Sequence, residues 1–311
     1  MKIIKAVAPY IHPNGINFKQ KPYEAWKGLG GNLARARYPI RILHGFVHRF
    51  EFPSMKTRKG EARLRFVQPW TLEFDTFPDY ICYEIIPFFW DVWPNNYKKT
   101  FSWLKKHKIK TAIFTSSQIA NIVKQEIPQL KVLSITEGID VYTYKQGSSL
   151  KERQIDFLEY GREIDNIVEY DLAGKINYVK GKKNGRPVFT QKELINNLSN
   201  AKIVATYPKS WTNPDEAKGI ETLTQRYWEA MLSRCVMIGH APEELVKLLG
   251  YNPVIEIDLK NPQEQLIDIL NRIEDFQELV DKNREIAINR GDWKYSMQRV
   301  MTFLQDCGYK V

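Results

Sequence analysis

Three stretches of the chain carry residue types whose spacing suits chemistry on an anionic ligand. The first is Gly161-Arg162, directly after the apolar run IDFLEY. A glycine there lets backbone approach a ligand, and a guanidinium beside it can fork onto phosphate oxygens. The second is KGIETLTQRYWEAML, 218–232. Thr222-Leu223-Thr224-Gln225 has the form of a capping box, so the spacing predicts a helix beginning near Leu223. The free N–H groups of such a start attract anions, and Gly219 leaves room just upstream. Glu221 stands before the helix and Glu229 about two turns along it, an E-x7-E spacing. Carboxylates accept hydrogen bonds from paired hydroxyls. Arg226 precedes Glu229 by three residues, so a helix-surface ion pair is the plainer account of Glu229. The third stretch is CVMIGHAPEEL, 235–245. His240 reads there as a loop residue, because no serine or second histidine accompanies it to build a triad.

Positioning such residues is the task of alternating strands and helices. In the first half, 2–8, 80–86, 111–116 and 131–135 read as strands, with helices at 95–107 and 116–127. The segment 12–75 is basic, aromatic and broken by Gly and Pro, and no strand is assigned in it. Polar 142–153 reads as an interdomain linker. Beyond it come strands at 154–161, 175–179, 202–207, 235–239 and 253–257. Helices follow at 191–199, 223–233, 242–249, 262–273, 275–289 and 293–306. This is the pattern of α/β domains with parallel sheets, in which ligands bind beyond the carboxyl ends of strands.

The 311 residues suggest two domains. An apolar fraction of 43% and a charged fraction of 26% exclude disordered and collagen-like chains. Cys82, Cys235 and Cys307 make neither a disulfide framework nor a zinc site and suit a reducing cytoplasm. No apolar window reaches the length of a membrane span. The net charge of +10 favours anionic partners. Arg35, Arg37, Arg41, Arg49, Lys56, Arg58, Lys59, Arg63 and Arg65 crowd together, interleaved with Phe46, Phe50, Phe52 and Phe66. A solvated face with some arginines at the edge of the core is the plain account of that cluster.

These features together resemble the GT-B glycosyltransferases, and are most similar to the retaining members of glycosyltransferase family 4. The likeness rests on Gly161-Arg162, on E-x7-E, and on EAMLSRCVM from Glu229 to Met237. TSSQIANIV (115–123) and EGID (137–140) add to it. It covers roughly 110–305 and is faint over 1–110. The lysine that the family places shortly after G-R has no counterpart in 161–166, where Arg226 can supply the charge. Thr222-Leu223-Thr224 replaces the family's G-F-G. Pro13-Asn14-Gly15 and Gly28–Gly31 are the only stand-ins for its glycine-rich loop.

The resemblance implies two Rossmann-like domains facing each other across a cleft, with the last helix returning to the first domain. The expected division is an acceptor-side domain over 1–145, a nucleotide-sugar domain over 146–292 and the returning helix over 293–311. Glu221 would touch the donor sugar, Glu229 the ribose and Arg162 the diphosphate, with Gly161, Thr222, Leu223, Thr224 and Arg226 completing the donor site. Asp91, in FFWDVWP, is the candidate on the acceptor side. A UDP- or GDP-sugar would be the co-substrate, with no cofactor and no metal; the sequence has no D-x-D. The acceptor would be a glycan or a lipid-linked molecule in surface polysaccharide or glycolipid synthesis. The protein would be cytoplasmic, held on an anionic membrane face by the 35–65 cluster. Two alternatives are a GT-B sugar-nucleotide epimerase and a basic nucleic-acid-binding protein, the latter supported by no recognised motif.

Overall fold

The computed structural model describes residues 1–7, 20–34, 54–164, 167–168, 172, 174–183 and 186–311. They form two compact units, Met1–Gly138 with Trp293–Val311, and Ile139–Asp292. Among the described residues no helix is long and apolar enough to cross a membrane.

The first unit begins with β1 (Lys2–Val7), α1 (Lys21–Gly28), β2 (Asn32–Ala34), β3 (Glu61–Val67), α2 (Leu72–Thr76) and α3 (Asp79–Cys82). It continues through β4 (Glu84–Phe89), α4 (Tyr97–Lys106), β5 (Thr111–Phe114), α5 (Ser117–Glu126) and β6 (Lys131–Ser134). The chain then builds the second unit: β7 (Ile155–Glu159), β8 (Tyr178–Lys180), β9 (Lys182–Lys183), β10 (Arg186–Pro187), α6 (Gln191–Asn200) and β11 (Ala201–Thr206). After these come α7 (Lys209–Thr212), α8 (Pro214–Ala217), α9 (Gln225–Leu232), β12 (Val236–Gly239), α10 (Glu243–Leu249) and β13 (Val254–Glu256). Two helices complete that unit, α11 (Pro262–Asn271) and α12 (Gln277–Arg290). The chain returns to the first unit with α13 (Trp293–Asp306) and β14 (Tyr309–Lys310).

The first unit's sheet runs β14-β1-β3-β4-β5-β6, with β2 also on β1, and every pairing is parallel. Sheets of this kind are covered on both faces, so their strands are apolar throughout rather than alternating. All of EIIPFF in β4 is buried accordingly. The run YICYEII, expected as a strand from 80, instead opens with the short helix α3, and the strand extends three residues further, through Phe89. β3 lies in the segment where no strand was assigned. Its alternating charges hid it, because Arg63 and Arg65 are buried against partners. Arg63 bonds Glu61 at 2.7 Å and lies 3.7 Å over the Tyr83 ring. Arg65 pairs with buried Asp79. These two arginines and buried Phe66 therefore leave the expected membrane-facing cluster. Arg35, Arg37, Arg41, Arg49, Phe46, Phe50 and Phe52 fall outside the described residues.

Trp293, Met297, Val300, Met301 and Leu304 of α13 are buried in the same core as Ile4, Leu64 and Phe88. At about 1.5–3 kcal/mol per buried large side chain, this helix contributes on the order of 10 kcal/mol to the first unit. Gly31 has a packing role: a Cβ there would meet the Trp26 ring at 2.3 Å, and Trp26 Nε1 donates to Asn32 O at 2.9 Å.

The second unit's sheet runs β13-β12-β11-β7-β8, all parallel. One face carries Leu158, Val204 and Met237 under α9, the other Phe157, Ile203 and Ile238 under α11. The units divide at Gly138–Ile139, ahead of the polar stretch 142–153, which belongs wholly to the second unit. Its polarity serves backbone carbonyls. Arg153 is buried and donates to Ala201 O at 2.7 Å, and to Ser148 O and Gln146 O at 3.1 Å each.

Candidate functional site

The order of the second sheet decides where a ligand can enter. From β7 the chain passes to β8 on one side, then crosses to β11 on the other. The loops leaving β7 and β11 thus diverge, and a crevice opens at their carboxyl ends. Gly161 and Arg162 lie in the first loop; Tyr207, Lys209 and Ser210 follow β11.

Gly161 has φ +75°, and a Cβ on it would meet Arg226 Nε at 2.6 Å and Cζ at 2.8 Å. The Arg226 guanidinium, carried on the first turn of α9, therefore lies against the glycine's bare face. Its Nη1 is buried and has no hydrogen-bond partner. Arg162 Nη1 approaches Tyr207 O at 3.5 Å. Glu229 is not paired with Arg226. Its Oε1 accepts from the Tyr144 hydroxyl at 2.7 Å and its Oε2 from the Tyr160 hydroxyl at 2.9 Å. Burial first, and the Glu229 charge second, push both phenols well above their ordinary range, so both stay protonated donors.

The start of α9 differs from the expected one. The helix begins at Gln225, and the N-cap Thr224 makes no side-chain cap bond. Thr222 is therefore not the cap, because Gln225 is the first helical residue rather than the third; the Leu223 N–H between them goes to the Glu244 carboxylate of α10. The Leu223 side chain is buried in the core, and Thr224 Oγ1 is buried without a partner. Glu221 accepts from Ser210 Oγ at 3.0 Å and stands 3.4 Å from His240 Nε2.

Beneath the β7 loop, Tyr178 donates to Glu159 Oε2 at 2.7 Å, and burial holds the Glu159 carboxyl above the usual range. Glu159 Oε1, Glu163 Oε1, Tyr207 Oη, Thr224 Oγ1 and Arg226 Nη1 are all buried without partners. Among the described residues of the second unit, only Ser233 Oγ is orphaned elsewhere. Each unpaired buried group costs about 1–3 kcal/mol. Such groups gathered at the carboxyl ends of β7 and β11 and the start of α9 are what a polar ligand would satisfy.

The structure thus joins Gly161 to Arg226, Glu229 to two tyrosines, and Glu221 to the loops after β11 and β12. Asp91 belongs to the first unit, exposed after β4 at φ +55°, a left-handed conformation that aspartate tolerates better than most residues. Sequence reasoning missed Tyr144, Tyr160, Ser210 and the role of His240. Tyr160 adjoins Gly161 and was legible as a loop neighbour; Tyr144 is brought in from 85 residues away and leaves no local signal. Among the described residues no three of His, Cys, Asp and Glu converge as metal ligands.

No protein-family profile and no curated protein sequence matches the chain. Solved structures do. HepE from Anabaena, crystallised with UDP-glucose, is 13% identical with a TM-score of 0.58, over 98% of this chain and all of that one. Sucrose-phosphate synthase from Thermosynechococcus elongatus is 11% identical, TM-score 0.61, over 99% of this chain and 100% of its own. AviGT4, a glycosyltransferase involved in avilamycin A biosynthesis, is 12% identical, TM-score 0.52, over 98% of each chain. The fold of this chain is the GT-B fold.

Proposed function

We propose that the protein is a retaining glycosyltransferase that moves a sugar from a UDP- or GDP-sugar to a glycan or lipid-linked acceptor. The observation that carries this reading is the set of unpartnered polar atoms at the β7–β11 switch point, which includes Arg226 Nη1, with the Arg162 guanidinium and the bare face of Gly161 in the same loops. The full-length likeness to HepE, crystallised with UDP-glucose, and to the glycosyltransferase AviGT4 supports it.

In this reading Arg162 and Arg226 hold the diphosphate. They stabilise the charge that grows on it as the bond from the anomeric carbon to phosphate oxygen breaks. The Glu229 carboxylate, oriented by Tyr144 and Tyr160, accepts from the ribose hydroxyls, and Glu221 accepts from the sugar hydroxyls. The acceptor hydroxyl oxygen bonds to the anomeric carbon on the face the phosphate leaves, and its proton passes to the departing phosphate oxygen. No metal and no further base are needed for that balance. The first unit, with Asp91, would meet the acceptor. Surface polysaccharide or glycolipid synthesis on the cytoplasmic membrane face is the setting that the basic first unit favours.

The deciding experiment incubates the protein with UDP-glucose, UDP-N-acetylglucosamine and GDP-mannose and follows the products. Release of nucleoside diphosphate with sugar transferred or hydrolysed is expected from one donor class. Interconversion of the sugar while it stays on the nucleotide would instead identify an epimerase.

A further inference from the structure

His240 has no part in the reading above, yet its surroundings are built. The backbone under it is fixed by Gly239, whose φ is +144° and whose Cβ, if present, would lie 2.0 Å from Thr206 O. This glycine lets β12 close on β11. His240 N then donates to Thr206 O at 3.0 Å, and Ile257 N to Gly239 O at 2.9 Å. From α9, the Tyr227 hydroxyl donates to His240 O at 2.7 Å. The imidazole stacks on Trp211 of α7, centroids 4.8 Å apart and planes 19° from parallel. Its Nδ1 is 2.7 Å from Glu256 Oε1, and its Nε2 is 3.4 Å from Glu221 Oε2.

We infer that His240 is the positioning residue for Glu221. Resting on the donor-site reading, the inference assigns His240 to the sugar end of the donor rather than the nucleotide end. Ser210 fixes Glu221 Oε1 from α7, and His240 restrains Oε2 from the end of β12. Two restraints on one carboxylate set its plane, and with it the orientation in which the carboxylate meets sugar hydroxyls. Glu256, the more exposed of the two carboxylates, holds the far side of the ring and prevents it from turning away. Trp211 limits tilting. The restraint reaches Glu221 and not the rest of the donor site: Arg162 bonds Tyr207 O, Glu229 bonds two tyrosines, and Arg226 lies against Gly161.

The test compares binding of UDP-glucose with UDP, and of GDP-mannose with GDP, by calorimetry. The proteins are the wild type, His240→Phe, His240→Gln, Glu221→Ala and the Glu221→Ala/His240→Phe pair, each checked for an unchanged Tm. His240→Phe keeps the stack on Trp211 and removes both contacts. It should weaken the nucleotide sugar about tenfold while leaving the bare diphosphate within twofold, corresponding to about 1.4 kcal/mol at the sugar end. His240→Gln, which restores one donor, should recover part of the loss. In the Glu221→Ala background His240→Phe should cost nothing further. Equal weakening of diphosphate and nucleotide sugar, no weakening at all, or a full additional loss without Glu221 overturns the positioning role and leaves the donor site standing. If the wild type binds none of the four compounds, the donor-site reading itself falls, and this role for His240 falls with it.

Discussion

At Gly161 a single missing side chain makes room for a charge. The Arg226 guanidinium lies where a Cβ would be, with one buried N–H left unsatisfied. Gly161→Ala must therefore displace Arg226 or strain a backbone held at φ +75°. If Arg226 serves the diphosphate, both Gly161→Ala and Arg226→Ala should weaken UDP or GDP by roughly 10–100-fold, the range of a charge-assisted hydrogen bond at 1.5–3 kcal/mol. Uridine or guanosine should bind almost as before. Equal losses for nucleoside and diphosphate, measured by calorimetry, would remove the guanidinium from the phosphate end. Gly161, Arg162, Glu221 and Glu229 were legible in the sequence because each sits at a fixed offset from a strand end or a helix start. Their partners were not. Ser210 and His240 meet at Glu221 through the pairing of β11 with β12, and Tyr144 reaches Glu229 from ahead of β7; both are tertiary facts.

Helix starts show where local patterns lose to neighbours. Thr190 and Glu193 form the reciprocal capping box that their spacing predicts at the head of α6. Thr222 and Gln225 have the same spacing but do not cap α9, which starts only at Gln225, while Glu244 of a different helix takes the Leu223 N–H between them. In the same way β3 was unreadable: its two arginines look solvated until Glu61, Tyr83 and Asp79 are brought beside them. The end of α4 offers a pH test. His107 follows the helix, packed against Tyr80 and Trp103 at 4.9 and 4.8 Å, with Nδ1 buried and unpartnered. Burial, then the charges of Lys106 and Lys56, push its pKa down from 6.5 to about 4. The unfolded chain takes up this proton first. The stability is therefore complete above about pH 6.5 and is lost as pH falls toward 4. Between pH 7 and 5 the loss is about 2 kcal/mol, or roughly 4–8 °C in Tm. Thermal melts at the two pH values should show a smaller drop for His107→Phe than for the wild type, and equal drops would refute the assignment.

For the whole molecule, the alternation of strands and helices was enough to read two α/β units, and the returning last helix was implied by the family likeness. The position of the division was not legible. Polarity at 142–153 looked like a linker, yet buried Arg153 consumes that polarity internally. The net charge of +10 belongs to this scale too. With Arg63 and Arg65 committed to buried pairs, the proposed electrostatic attachment to a membrane would fall to the rest of the basic cluster, each residue near anionic lipid contributing about 1 kcal/mol. Sedimentation with phosphatidylglycerol vesicles at low salt should pull the protein down, and high salt or phosphatidylcholine vesicles should release it. Binding indifferent to lipid charge or salt would leave a soluble acceptor as the better account.

The second unit leaves and rejoins the chain at one place. Ile139 and Asp292 form a parallel bridge, with Ile139 N donating to Gly291 O at 2.7 Å, and Gly138 packs directly on Trp293. The whole of 139–292 is therefore an insert whose two ends are neighbours, and its core is its own. An insert of that kind can be exchanged as a cassette through a single seam, with Gly138 and Trp293 as the splice residues. Donor preference would then be inherited with the cassette, and acceptor preference with the host.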